Sequence, residues 1–433
     1  MRKTSVAVVA LAAVSRIAWA QPAPTRLTLQ EASALALKNH PHVLAAQAET
    51  GVAEQQIVEA RAPYYPTVNA ALTGSQGNDQ ARVGAGAIAA SRLFTRFGQG
   101  LILSQLVTDF SRTSNLVASS RLQQQASTQD LAATRYDVLL AVNRGFFEVL
   151  RTQAAVKVAE ETVAARQLLL DQVSVLAKNN LKSQLDVSFA DVTVSEAKLL
   201  LIRANDGVQE SLAELARALG SDQPANYQPV DEPLPPSPPS KPDDLVAQAF
   251  AARPELASLR YTRDAAYRFA EAEKDLKRPI VSVVGVAGAL PLINQPATGA
   301  QVPPGYEGAA LNVDIPVFNG HLFTAREEAA RLRAAQSDQR LRDEQERVAR
   351  DVRVAWASAM TAYQRIDVTA QFLRQAALAL DLAKGRFDLG LSSIVELTQA
   401  QLNVTSAELE NLNAKYDYHV QYAVLQYALG QLR

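Results

Sequence analysis

A long helical pattern interrupted by one short break constrains this chain more than any other feature. From Val317 to Arg433 there is no proline, and glycine occurs only at Gly320, Gly385, Gly390 and Gly430. Proline is the strongest helix breaker and glycine the next, so the segment is able to be helical nearly throughout. The break is Arg386-Phe387-Asp388-Leu389-Gly390-Leu391-Ser392-Ser393-Ile394-Val395-Glu396-Leu397. It predicts a helical hairpin with its tip near Gly390 and arms far longer than the ordinary helix of about 11–12 residues.

The same organisation occurs earlier. From Phe110 to Gly220 no proline is present and only Gly145 and Gly207 interrupt, with a break at Lys178-Asn179-Asn180-Leu181-Lys182-Ser183. The arm from Thr113 to Asn180 would extend about 100 Å at about 1.5 Å per residue. Pro41 and Pro254 follow His40 and Arg253 in similar Ala-rich runs, and Pro66 and Pro279 each introduce a strand-like segment. Asn180-Leu181-Lys182-Ser183 corresponds to Gly390-Leu391-Ser392-Ser393, Asp186 to Glu396, and Ala218-Leu219-Gly220 to Ala428-Leu429-Gly430. The chain is a tandem duplication of helix, two strands, long helix, turn and helix.

The expected boundaries follow. Residues 1–20 form a secretory signal: Arg2 and Lys3, the apolar run Val6–Val14, and the small-residue cleavage pattern Ala18-Trp19-Ala20. The run is far shorter than the ~20 residues that span a bilayer. The first repeat is 21–222, the Pro-rich stretch 223–242 is an extended linker, and the second repeat is 243–433. Thr28 and Glu31 mark a capping box before the first helix.

Strands are expected at about 66–76, 98–108, 279–290 and 306–317. In the last, Ala309, Leu311, Val313, Ile315 and Val317 alternate with Ala310, Asn312, Asp314 and Pro316. One apolar and one wet face suits a membrane barrel strand, and Tyr64, Tyr65, Phe94, Phe97, Tyr306, Phe318 and Phe323 cluster at strand ends like an interfacial girdle. Four strands cannot close a barrel, which takes about eight or more. Three chains would supply an even total of about twelve, so strand count and duplication together point to a homo-oligomer. In the last helix, Val395, Leu402, Leu409, Tyr416 and Ala423 recur every seventh residue, with Leu412 between, and Ala400, Ala407 and Ala414 form a second, small line. Two offset seams let a helix pack on both sides, as a cylinder of helices requires.

No catalytic constellation emerges, and no metal or cofactor is called for. Cysteine is absent, which excludes disulfides, thiolate sites and a cysteine-linked lipid anchor. His40, His42, His321 and His419 lack metal spacing, and Gly84-Ala85-Gly86 lacks a phosphate-loop context. The net charge of −1 excludes a nucleic-acid-coating polyelectrolyte. Asp186 and Glu396 each follow the turn residue by six positions, at the start of the returning helix. They are either first-turn acids favoured by the helix dipole or, repeated by oligomerisation, a charged ring at the hairpin tips.

Taken together, the signal, the opening Leu27-Thr28-Leu29-Gln30-Glu31-Ala32 with Asn39-His40-Pro41, the duplication and the turn Phe387…Gly390-Leu391-Ser392…Glu396-Leu397 resemble the TolC-type outer membrane efflux protein family. The resemblance covers roughly Leu27 to Arg433. It implies a homotrimer in the outer membrane of a Gram-negative bacterium, mainly α, with a shared 12-stranded β-barrel and a periplasmic α-barrel whose tips close into a gate. Partners implied are a periplasmic adaptor (membrane fusion) protein, an inner-membrane efflux pump or ABC exporter, and outer-membrane lipid. By position, Asn180, Leu181, Ser183, Phe387, Gly390, Leu391, Ser392 and Ser393 are expected to dock the adaptor, with Asp186, Glu396 and Gln399 at the gate. Gln399 stands where some relatives carry a second acid, and Ser392 where some carry a tip arginine. The competing reading is a periplasmic coiled-coil scaffold or adaptor without channel activity.

Overall fold

A computed structural model describes residues 25–76, 96–221, 227–239, 241–293 and 304–432. The signal segment 1–20, Phe94, Gly84-Ala85-Gly86 and parts of the strand-connecting loops and linker lie outside the described residues. The first repeat comprises β1 (Thr25–Leu27), α1 (Leu29–Asn39), α2 (Pro41–Arg61), β2 (Thr67–Ser75), β3 (Arg96–Thr108), α3 (Arg112–Lys178) and α4 (Gln184–Ala218). After β4 (Tyr227–Pro229) come α5 (Asp243–Ala252), α6 (Pro254–Lys274), β5 (Ile280–Ile293), β6 (Gly305–Asp314), α7 (Leu322–Asp388) and α8 (Ile394–Ala428).

The repeats agree in length: α3 and α7 have 67 residues each, α4 and α8 have 35, and α2 and α6 have 21. The opening capping box forms, with the Thr28 backbone N–H donating to the Glu31 carboxylate at 2.9 Å and the Glu31 N–H to the Thr28 hydroxyl at 3.3 Å. The helical run that this box opens reaches Arg61 with one break, at His40. Pro41 forces its predecessor out of the helical region, and His40 sits at φ −67°, ψ 125°. Arg253 before Pro254 adopts φ −72°, ψ 124°, so one dipeptide device interrupts both copies.

Those breaks receive the ends of the returning helices. Gly220 and Gly430 take left-handed φ values of 72° and 68°. A Cβ on Gly220 would come within 2.8 Å of the His40 Cα, and one on Gly430 within 3.0 Å of the Ala252 carbonyl carbon. Each long helix is thereby flanked by two shorter ones laid end to end, α3 by α1/α2 and α4, and α7 by α5/α6 and α8. The main cores sit at these joins. Val142, Phe146 and Val149 of α3 meet Ala32 and Ala36 of α1 and Leu215 of α4; Val348 and Val352 of α7 meet Leu245, Ala249, Leu256 and Leu425. Each such fully buried large side chain contributes about 1.5–3 kcal/mol.

The four long strands form one antiparallel sheet in the order β2-β3-β5-β6, so the β3–β5 pair joins the two repeats. Among the described residues, β2 and β6 each keep an unpaired outer edge. The pairing places Val68 beside Leu103 and Leu311 beside Val283. One face thus carries the exposed side chains of Val68, Leu72, Leu101, Leu103, Leu311 and Val313. The opposite face holds Asn69, Thr73, Ser104, Ser282, Asn312 and Asp314 among apolar neighbours. β6 stops at Asp314, three residues short of the expected Val317, because Pro316 has no N–H for a ladder. Val317 and Phe318 beyond it are 92% and 79% exposed.

On α8 the small seam is the intramolecular one: Ala400, Ala407 and Ala414 are buried. The apolar line beside it starts at Val395 and Leu402, both exposed within one chain. The linker is extended and fastened. β4 pairs in parallel with β1, the Tyr418 hydroxyl donates to the Pro236 carbonyl, and the Trp356 indole N–H donates to the Pro239 carbonyl at 2.6 Å. No helix among the described residues is long and apolar enough to cross a membrane.

Candidate functional site at the helix-hairpin tips

The two tips fold by the same local rules. At the first, the Leu181 N–H donates to the Leu176 carbonyl at 2.9 Å and the Asn180 N–H to the Ala177 carbonyl at 3.0 Å. At the second, Leu391 donates to Arg386 at 2.8 Å and Gly390 to Phe387 at 3.0 Å. This paired closure needs a left-handed residue after the helix. Gly390 supplies it at φ 71° and Asn180 at φ 59°, asparagine being the side chain that tolerates this region best. Ser183 and Ser393 then cap the returning helices, accepting from the Asp186 and Glu396 N–H groups at 3.2 and 3.3 Å.

The acids diverge. The Asp186 carboxylate turns back on its own cap, accepting from the Ser183 N–H at 3.0 Å and hydroxyl at 2.8 Å. These two bonds hold its pKa below the ordinary carboxylate value, aided by the nearby Lys182 charge. Glu396 makes no such return. Its carboxylate lies 3.3 Å from the Arg386 guanidinium, which also donates to the Leu391 carbonyl at 3.4 Å. The first hairpin has Leu176 at the equivalent position and therefore no counterpart. Gln399 is exposed and donates to Asn403 at 3.1 Å.

The structure brings the two tips of one chain together. Phe387 is 6% exposed, in a cluster with Leu169, Val173, Ala190, Ile394 and Leu397, and the Lys182 ammonium sits 4.1 Å from its ring centroid. Phe387 thus joins the hairpins and presents no free docking face. Leu181, Leu389 and Leu391 are exposed instead, at 69%, 76% and 67%. Asn180, Ser183, Gly390 and Ser393 surround them on the exposed turns, while the Ser392 hydroxyl is buried without a hydrogen-bond partner among the described residues. Sequence reasoning placed Lys182 within the first tip without a role of its own and passed over Arg386 as a partner for Glu396. Arg386 was findable, since a cation one residue before Phe387 faces an acid in the first turn beyond a tight closure.

Elsewhere the pattern is structural. The His40 Nδ1 accepts from the His42 N–H at 3.2 Å, capping α2, and among the described residues no cluster of His, Asp or Glu is placed to hold a metal.

A four-stranded sheet with one apolar face and two open edges, mounted on helices of about 100 Å that end in paired closed tips, defines the protomer of an outer-membrane channel. Comparison with known proteins identifies which. The model of the outer membrane efflux protein family matches residues 32–221 and 245–431, and the chain belongs to that family. It is 24% identical over 451 residues to the outer membrane protein TolC of Vibrio cholerae, covering 98% of this chain and 94% of the relative. It is 21% identical over 411 residues to the outer membrane efflux protein BepC of Brucella suis, covering 94% and 86%. Among solved structures, the Campylobacter jejuni CmeC outer membrane channel superposes with TM-score 0.80 at 16% identity, covering 93% of this chain and 85% of that one. The Vibrio cholerae outer membrane protein VceC gives 0.78 at 17%, covering 93% and 96%. The family is one of channels, not enzymes.

Proposed function

We propose that three copies of this chain form a passive exit duct that carries substrates from the periplasm to the exterior. Their sheets close one barrel in the outer membrane and their hairpins one periplasmic tube. The observation that carries this reading is the sheet: four strands with one apolar face and two unpaired edges complete themselves only by joining copies of themselves. The energy for transport comes from an inner-membrane efflux pump or ABC exporter, coupled through a periplasmic adaptor. The exposed tip leucines Leu181, Leu389 and Leu391 with the adjoining Asn180, Ser183, Gly390 and Ser393 are the surface offered to that adaptor. Asp186 stabilises the first tip, while Glu396, paired with Arg386, sets charge at the second. The boundaries 21–222, 223–242 and 243–433 divide the duct into its two repeats and their crossing strap.

Single-channel recording of the detergent-extracted protein in planar bilayers tests the proposal. Conductance from a trimer recovered in the outer-membrane fraction is expected. A soluble periplasmic monomer without conductance would instead support the scaffold reading.

A further inference from the structure

Away from the tips, a cleft of about 360 Å³ opens between α3, α8 and the linker. Its polar lining is lopsided. Glu161 of α3, Asp231 and Glu232 of the linker and Glu408 of α8 face it, against the single ammonium of Lys415. Burial, and then the charge of Glu161, hold the Glu408 carboxyl above the ordinary carboxylate range, so the two acids meet across the α3–α8 seam without compensation from each other. The walls between the charges are apolar, supplied by Leu234, Leu373 and Leu412.

His419 is the second, independent mark of a ligand. It is 5% exposed, lines this cleft and an adjoining cavity of about 310 Å³, and stacks on Phe147 with ring centroids 4.3 Å apart. Among the described residues no hydrogen bond reaches either of its ring nitrogens. Asp231 acts on it through charge alone, and burial outweighs that charge to keep its pKa low. A neutral imidazole offers a ring nitrogen as acceptor to a donor that enters the cleft it lines.

We propose that this cleft binds a protonated organic amine with an apolar body. The ammonium N–H groups would be received by the carboxylates and by His419, and the body by the leucine walls. A bare divalent ion fits poorly, since no set of carboxylates and histidines is gathered to metal-ligand spacing among the described residues. The cavity is of the size that takes a small organic molecule. An occupant would tie the linker, and hence the crossing between repeats, to the α3–α8 seam.

Titrating the assembled full-length protein in non-ionic detergent with dansylcadaverine, a fluorescent primary amine, tests this. Saturable binding with a blue-shifted emission is expected. Glu408→Gln and Asp231→Asn should each weaken it roughly tenfold, the loss of one half-buried charge partner. The tip variants Asp186→Asn and Glu396→Gln should leave it unchanged. Equal binding by all four variants, equal loss in the tip variants, or displacement by magnesium as effective as by 1,5-diaminopentane would overturn the proposal. Should Asp231→Asn fail to assemble, Glu408→Gln decides alone, with its melting temperature and oligomeric size required to match the parent. Conductance is not read, so failure of the amine site leaves the channel reading standing.

Discussion

At the scale of single residues, the two tips solve one geometric problem with different chemistry. Gly390 adopts φ 71° with nothing within 4 Å of where a Cβ would lie, so only backbone strain opposes a side chain there. Gly390→Ala should cost about 1–2 kcal/mol locally, seen as a roughly fivefold or greater loss of amide-exchange protection at residues 390–394. Asn180→Gly should be neutral or slightly protective at the first tip. The Asp186 cap has a stated pH window. Its pKa is depressed from the ordinary 3.8, so its contribution is complete above that value and is lost only as pH falls through the lower folded value. Protection at the start of α4 should therefore hold constant from neutral pH down to about 5 and decline below about 4, whereas Asp186→Asn should lower it at neutral pH and converge on the parent as the carboxyl protonates. At the second tip, the Arg386–Glu396 pair is exposed and contributes only about 0–1 kcal/mol, so its variants should fold. Glu396→Gln leaves an unpaired cation and should reduce cation selectivity in bilayers; Arg386→Ala leaves an unpaired acid and should raise it. Shifts of the same sign would remove charge control from this pair. The turn positions and both acids were legible in the sequence because closure chemistry is local. Their different partners were not, since whether a carboxylate turns to its own cap or to a neighbouring guanidinium depends on side-chain packing that no spacing encodes.

At the scale of elements, the agreement of helix lengths between repeats shows how much a break can specify. Pro41 and Pro254 set the kinks, and Gly220 and Gly430 set where the returning helices stop. Gly220→Ala would force a Cβ within 2.8 Å of the His40 Cα while demanding a left-handed alanine. Strain and clash act together here, so a loss of about 2–4 kcal/mol is expected, measured as a lower melting temperature of the purified protein. The small seam makes a related case. Ala407 and Ala414 are fully buried, and Ala407→Leu should cost about 1–3 kcal/mol by overpacking. Leu402→Ala on the neighbouring, exposed line should leave the folded chain intact and weaken association between chains. Heptad arithmetic displayed both lines but could not say which one is spent inside the chain, because that choice depends on how close the helices approach. The strand ends were similarly blurred: alternation runs on through Ile315 and Val317, and only the missing N–H of Pro316 ends pairing at Asp314.

At the scale of the whole molecule, the unfinished parts of the protomer all point outward. The open edges of β2 and β6 and the exposed Val395–Leu402 line each require a partner surface, and a second copy offers both at once, while the apolar sheet face is left to lipid. A heterologous edge-to-edge contact either closes into a ring or grows without limit, and three copies of four strands give an even total of about twelve, within the range of closed membrane barrels. The absence of native cysteine makes this directly measurable. Asn69 on β2 and Ala310 or Asn312 on β6 lie on the same sheet face, at opposite edges, too far apart within one chain to bridge. With Asn69→Cys combined with either Ala310→Cys or Asn312→Cys, oxidation in outer-membrane vesicles should produce covalent dimers and trimers and then stop. Each single variant should yield at most dimers, because one cysteine per chain cannot propagate. A ladder that continues past three chains would mean an open assembly, and one that ends at two would mean a symmetric pair. In either case the shared barrel, and with it the continuous path from hairpin tip to cell exterior, would not exist in this form.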